Sequence, residues 1–271
     1  MESFLSYDFL MRALCMGLIG GATCGAVGVF VVLWRISFVG LCISHAAFAG
    51  ALIGLWLGVS PLISGIIGSI GAASMIGPLS EKPTFTPDIA VAVIFSVMLS
   101  IAMLALGLLP GSKTDGLTLI WGSLLTVNSL DLILMGSTGC VLALFIWLFF
   151  KEIKATLGQR NAAVASGIPA KGIYYASLII LGLVVAIALK AIGGLLIYSL
   201  IVAPAVAALQ LTYNLRTMLI LSTVTGAVSS VIGLWLSFHL GIPTGAAIVL
   251  TAVGILVISI IFSPKRKVSA L

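Results

Sequence analysis

The chain is a succession of long apolar runs separated by short polar breaks. The runs cover residues 9–34, 36–57, 62–79, 87–109, 130–150, 173–189, 195–212, 218–240 and 246–262. Each is close to the roughly 20 residues that a helix needs to cross a hydrocarbon layer about 30 Å thick. The runs are continuous, without the strict alternation of a transmembrane barrel, so helices are predicted throughout. The breaks are rich in proline and glycine: Val59-Ser60-Pro61, residues 80–88 with two prolines, residues 110–116, residues 151–171, Gly193-Gly194 and residues 241–245. The pattern predicts an all-α polytopic membrane protein of about nine transmembrane helices. The run with Pro204 at its centre is the exception. Proline removes a backbone hydrogen bond, so this run is expected to kink or to break there, and if it is re-entrant the count falls to eight. Residues 117–127 are too short to span and read as a short helix along the membrane surface or partly re-entrant. Asp88 and Asp131 stand at run starts, where a carboxylate caps a helix and meets its dipole.

Composition agrees with this reading. Of the residues, 61% are hydrophobic and 7% charged, against about 25% charged in soluble domains. Mean hydropathy is +1.32. The net charge of +6 does not mark a nucleic-acid surface, because the basic residues sit at run ends. With nine spans and the C-terminus inside, Arg35, Lys82, Lys151, Lys154, Arg160, Lys171, Arg216, Lys265, Arg266 and Lys267 fall inside, and Arg12, Lys113 and Lys190 outside. Residues 1–8 are acidic, with no basic region of the kind that precedes a cleaved signal. The four cysteines all lie within apolar runs without C-x-x-C spacing, so they read as small buried side chains rather than a disulfide framework.

Candidate chemistry is sparse. His45 lies about nine residues into its run, roughly 14 Å deep at 1.5 Å per residue. An ionisable group at that depth faces a bundle interior or a wet cavity. Neutral imidazole binds zinc, manganese or copper; the alternative is a structural hydrogen bond to a neighbouring helix. His239, near the outer end of its run, is a second candidate ligand or an interfacial polar residue. Lys190 is expected to snorkel or to meet a helix C-terminus. In the long polar stretch, residues 156–167 read as one short helix of small residues, stopped by Gly167-Ile168-Pro169. Such a helix suits docking of another protein; the bland reading is a solvated connector. No G-x-x-x-x-G-K-[ST] loop occurs, so ATP hydrolysis would need a separate subunit. No His-Glu-x-x-His or paired carboxylates occur, so no enzyme is expected. A stand-alone secondary cation transporter would need deep charges in several runs, and His45 is the one that is deep.

Several stretches, in order, resemble motifs of one family: Val31-Val-Leu-Trp-Arg35-Ile-Ser-Phe-Val-Gly40, Ser44-His45-Ala46 with Gly50, Pro87-Asp88 through Ser96, Trp121 through Asn128, Asn161 through Ile168, Gly194 through Ala205, and Pro243-Thr-Gly245 through Leu250. Their order and spacing are similar to the integral-membrane permeases of the zinc/manganese class of ABC importers. The resemblance implies a single permease domain over residues 1–271, with a cytoplasmic coupling helix near residues 156–168. It also implies a homodimer, two cytoplasmic ATPase subunits that carry the ATP, and an extracytoplasmic solute-binding protein. Substrate would be imported by alternating access at the dimer interface, in a prokaryotic cytoplasmic membrane with the C-terminus inside. Asn161, Ala162, Ala163, Ser166 and Gly167 would couple to the ATPase, and His45 would be the pathway histidine. No cofactor is implied on this chain; the metal is cargo. Leu41 stands where the family usually has an aspartate, and Gly241-Ile242 where it often has an acidic residue. Both changes remove hard oxygen ligands, which weakens manganese most. Zinc is then the favoured cargo, with Cys42 or His239 as further ligands beside His45; a metal chelate or small organic solute is the alternative.

Overall fold

The computed structural model describes residues 8–82, 84–109, 122, 124 and 127–267. Regular structure among them is helical: α1 (Asp8–Leu33), α2 (Val39–Leu57), α3 (Pro61–Ser80), α4 (Pro87–Leu108), α5 (Ser129–Leu148), α6 (Phe150–Gly158), α7 (Arg160–Ala165), α8 (Ala170–Ile192), α9 (Gly194–Leu211), α10 (Leu215–Leu240), α11 (Thr244–Ile261) and a closing 3-10 turn at Pro264–Lys267. The expected surface helix at 117–127 and Lys113 lie outside the described residues, apart from positions 122, 124 and 127.

Local chemistry sets the helix ends. Pro61 and Pro87 open α3 and α4, where a missing N–H leaves nothing unpaired. The Thr86 hydroxyl accepts from the Ile89 N–H. Asn128 and Asp131 form a reciprocal capping box at α5, which satisfies two orphan donors. Gly58 and Gly241 close α2 and α10 in the left-handed conformation, one that a side chain rarely adopts.

Among the described residues, eight helices are long and apolar enough to cross a membrane: α1 to α5, α8, α10 and α11. α1, α2 and α8 are largely buried in the bundle, α4 and α5 largely exposed. The first three therefore form the interior with α9, while α4, α5 and α11 turn large apolar side chains outward (Leu104, Ile133, Trp147, Leu250). Basic residues collect at one end of the bundle. There Trp34 meets Tyr174 edge-on at 5.0 Å, and Glu81, just past α3, pairs with Lys171 at the start of α8. Lys265 packs over Tyr213, between α9 and α10, at 4.2 Å.

Two expectations are corrected. α9 continues through Pro204 without a break. Proline leaves the Leu200 carbonyl without its helical donor, but Leu200, Ile201, Ala205 and Ala208 are all buried, and tertiary packing holds the helix. The interruption lies instead at Gly193 (φ +92). The α8–α9 turn sits deep in the bundle, because Ile192 lies beside the position that a Gly20 side chain would occupy, midway along α1. α9 follows at once from Gly194. Residues 156–167 are likewise not one helix. The chain turns extended at Gln159 (φ −146, ψ 99), between α6 and α7.

The bundle is closed by backbone-on-backbone contacts. A Cβ at Gly50 would run into the Ser64 carbonyl, and one at Gly28 into the Ile201 carbonyl. Gly107 has open space around it. Gly50→Val is expected to destabilise the folded protein by about 1–3 kcal/mol, the usual scale of overpacking. Gly107→Ala should be neutral or slightly stabilising, since alanine is the better helix former. Thermal unfolding of the two variants in detergent compares them directly.

Candidate functional site

α2 starts at Val39 rather than 36, so His45 lies six residues along it, about 9 Å. That is a third of a hydrocarbon layer about 30 Å thick, nearer the basic end than the sequence count gave. Its ring is half-buried and meets Phe95 of α4 edge-on, with centroids 5.1 Å apart. Nδ1 lies 3.0 Å from the Leu41 carbonyl. A carbonyl can only accept, so Nδ1 carries the proton and Nε2 keeps the lone pair, which is the tautomer that binds a metal. The Ser44 hydroxyl donates to the same carbonyl at 2.8 Å. Leu41 therefore orients the imidazole through its backbone, at the position where a carboxylate was looked for.

The other candidate ligands stand apart from it. Cys42 is fully buried in the apolar core. His239 is exposed, one residue before the end of α10, with its ring 4.3 Å from that of Trp235 and Nδ1 3.0 Å from the Trp235 carbonyl. No group of three or more His, Cys, Asp or Glu side chains gathers among the described residues. A cleft of about 880 Å³ opens between α1, α5 and α10, away from His45. Arg216 is its one charged lining residue, and the Thr23 and Thr223 hydroxyls in its wall donate to their own helices. It offers an apolar wall and no ligand set.

Lys190 stands in the last turn of α8, as expected of a basic residue at a helix C-terminus, and it also has a side-chain partner. Its Nζ lies 2.7 Å from Oδ2 of Asp131, whose side chain is buried by the start of α5. The sequence separation of 59 residues hid this pair. Asp131 thus has two roles, as a cap and as a counter-ion.

At the basic end, α7 presents a small-residue surface. Ala162, Val164, Ala165, Ser166 and Gly167 are exposed, while Ala163 is buried beneath them; the Asn161 side chain lies outside the description. Gly167 turns the chain at φ +80. One carboxylate ties this loop to the bundle: Glu81 receives Arg160 at 2.7 Å and Lys171 at 2.9 Å. The Arg160 guanidinium also stacks 5.3 Å from the Tyr174 ring centroid. No local sequence signal marks Glu81, because its partners lie 79 and 90 residues away.

A family model described as the ABC 3 transport family matches residues 6–263. The chain belongs to the ABC 3 transport family. The resemblance read from motif order is thereby borne out. The manganese transport system membrane protein MntC of Listeria monocytogenes is 31% identical over 266 residues, covering 98% of this chain and 95% of its own. The chelated iron transport system membrane protein YfeD of Yersinia pestis is 27% identical over 267 residues, covering 97% and 88%. Among solved structures, PsaBC from Streptococcus pneumoniae in complex with Fab matches with a TM-score of 0.87 and 30% identity, over 98% of this chain and 96% of that one. ABC 3 membership and the eight long apolar helices make this a multi-pass membrane protein.

The Lys171 hydrogen bond, with the Lys171 charge, the Tyr175 hydroxyl and the Arg160 charge behind it, holds the Glu81 carboxyl below its ordinary 4.5; partial burial opposes them. A lowered folded-state value means that the tie is fully present above about 4.5 and is lost as pH falls through the folded value. A nitroxide at Ser166→Cys should keep one mobility from pH 8 to 5 and loosen below 4.5. With Glu81→Gln added, it should be mobile at every pH in the same electron paramagnetic resonance titration.

Proposed function

We propose that this chain is the membrane permease of an ATP-driven importer for a divalent first-row transition metal. The basic end would be cytoplasmic, two copies would form the pathway, and separate ATPase and solute-binding subunits would complete the assembly. Membership of the ABC 3 family over residues 6–263 carries the reading. Its support within the chain is a half-buried imidazole with a free Nε2, an exposed small-residue helix at the basic end, and the absence from the sequence of a phosphate-binding loop. The names of relatives such as MntC move the weight from zinc to manganese. α7 and Gly167 are where the ATPase would grip. As an importer subunit in a prokaryote, the protein would reside in the cytoplasmic membrane.

A second reading keeps the architecture and changes the cargo to a metal chelate. It rests on Leu41, which supplies no carboxylate, and on a relative named for chelated iron. Uptake into vesicles holding the full assembly, with manganese, zinc, iron and chelated iron compared and ATP omitted as control, separates the two. ATP-dependent accumulation of free manganese or zinc supports the first reading; accumulation of chelate alone supports the second, and no ATP-dependent uptake sinks both.

Two variants sharpen the test. His45→Ala should lower metal uptake about 10- to 100-fold, the scale of losing a group that tunes a metal site, with the inserted protein unchanged. Wild-type uptake would return His45 to a packing role. Gly167→Pro cannot adopt φ +80 and should abolish binding-protein-stimulated ATP hydrolysis while the permease still inserts.

A further inference from the structure

We propose that Glu81 is a positioning residue that carries motion of the Arg160–Ala165 helix to His45. The inference rests on the permease reading above and adds the physical link between its two halves.

A carboxylate just past the C-terminus of α3 is poorly placed, because a helix C-terminus already carries partial negative charge. It is held there by two cations from two other places in the chain: Arg160, the first residue of α7, and Lys171, in the first turn of α8. Among the described residues three ion pairs occur, and two of them meet on this one side chain. Glu81 therefore joins α3, α7 and α8 at a point. Arg160 is braced from behind by Tyr174, which in turn meets Trp34 after α1.

From Glu81 the path to His45 runs through backbone. α3 and α2 touch without intervening large side chains: a Cβ at Gly65 would lie 3.1 Å from the Ala47 carbonyl, and one at Gly68 would lie 2.5 Å from the Ala46 carbonyl. Ala46 and Ala47 directly follow His45. Gly50 and Gly54 make the same approach to Ser64 higher up. Such a contact has no rotamers in which to absorb a displacement, so α2 and α3 move as one body. On the far side of α3, Gly77 admits the Tyr175 ring and Gly182 of α8 approaches Ser69. A pull on α7 is thus delivered through Arg160 and Glu81 to α3, and with α3 to the helix that holds the imidazole.

The test uses the complete assembly of permease, ATPase and binding protein in vesicles, with manganese as the probe. Three quantities are read for Glu81→Gln: co-purification of the ATPase, basal ATP hydrolysis, and metal moved per ATP hydrolysed. The expectation is that the first two match wild type and the third falls about tenfold, the scale of losing one hydrogen bond to a charged group. Lys171→Gln, which leaves Arg160 on Glu81, should keep the ratio near wild type. Glu81→Asp should recover part of the ratio. Coupling within twofold of wild type in Glu81→Gln overturns the proposal. Loss of ATPase co-purification in Glu81→Gln also overturns it, since the cluster would then only shape the docking surface. A wild-type assembly without metal-dependent ATP hydrolysis overturns the permease reading, and the role of Glu81 with it.

Discussion

The fold depends on helices approaching so closely that their backbones touch. In hydrocarbon there is no hydrophobic gain in bringing apolar helices together, so dispersion contact and interhelical hydrogen bonds must do it. α1 supplies Gly17, Gly21, Gly25 and Gly28 along one face, and α10 meets it with Ser222, Gly226 and Ser230. Gly21 and Gly226 are reciprocal: a Cβ on either would enter the other's carbonyl. The Ser222 hydroxyl then donates across the seam to the Gly25 carbonyl at 2.5 Å. α9 wedges against Gly28 by the same means, and α2 and α3 form the second such pair. These contacts have no slack, so each such pair of helices is packed as one piece.

The same constraint governs polarity. Thr23, Thr138 and Ser177 each donate to the carbonyl four residues earlier in their own helix, and Ser69 to the one three residues earlier. Their hydroxyls are satisfied without facing a pathway. Asp131 is neutralised by Lys190 and by its capping partner. Against that background His45 stands out for chemistry and not only for depth. Its Nδ1 is committed, and among the described residues no contact engages its Nε2.

The outer plan was legible because runs near 20 residues, proline starts and a basic bias at alternate breaks are written locally. The ABC 3 assignment was legible because motifs recur in order across the chain. What stayed hidden was non-local. Gln159 is no breaker itself, and Gly158, which ends α6 just before it, is the one local sign of the α6–α7 turn. Pro204 carried a local signal that tertiary packing overrode, while Gly193, where the chain actually turns, looked like an ordinary connector. The burial of the α8–α9 turn follows from Ile192 meeting α1 near Gly20, which no window of sequence contains. The four-residue spacing of Gly17, Gly21 and Gly25 was visible, but the frequency of glycine alone said packed bundle and nothing of which helices pair.

As the pathway histidine of the proposed permease, His45 would constrain by its donor count what can pass it. A first-row dication is held by four to six donors in a stable site. One chain offers a single imidazole nitrogen here, with Cys42 sealed in the core and His239 at the end of another helix. On the permease reading, the remaining donors come from water, from a chelator or from the second copy. A pathway must bind strongly enough to admit an ion and weakly enough to release it. A carboxylate at position 41 would add a full negative charge one turn from the imidazole; Leu41 adds only a carbonyl already shared between Ser44 and His45. The substitution therefore shifts the balance toward release, and toward cargo that keeps part of its own coordination shell during transit.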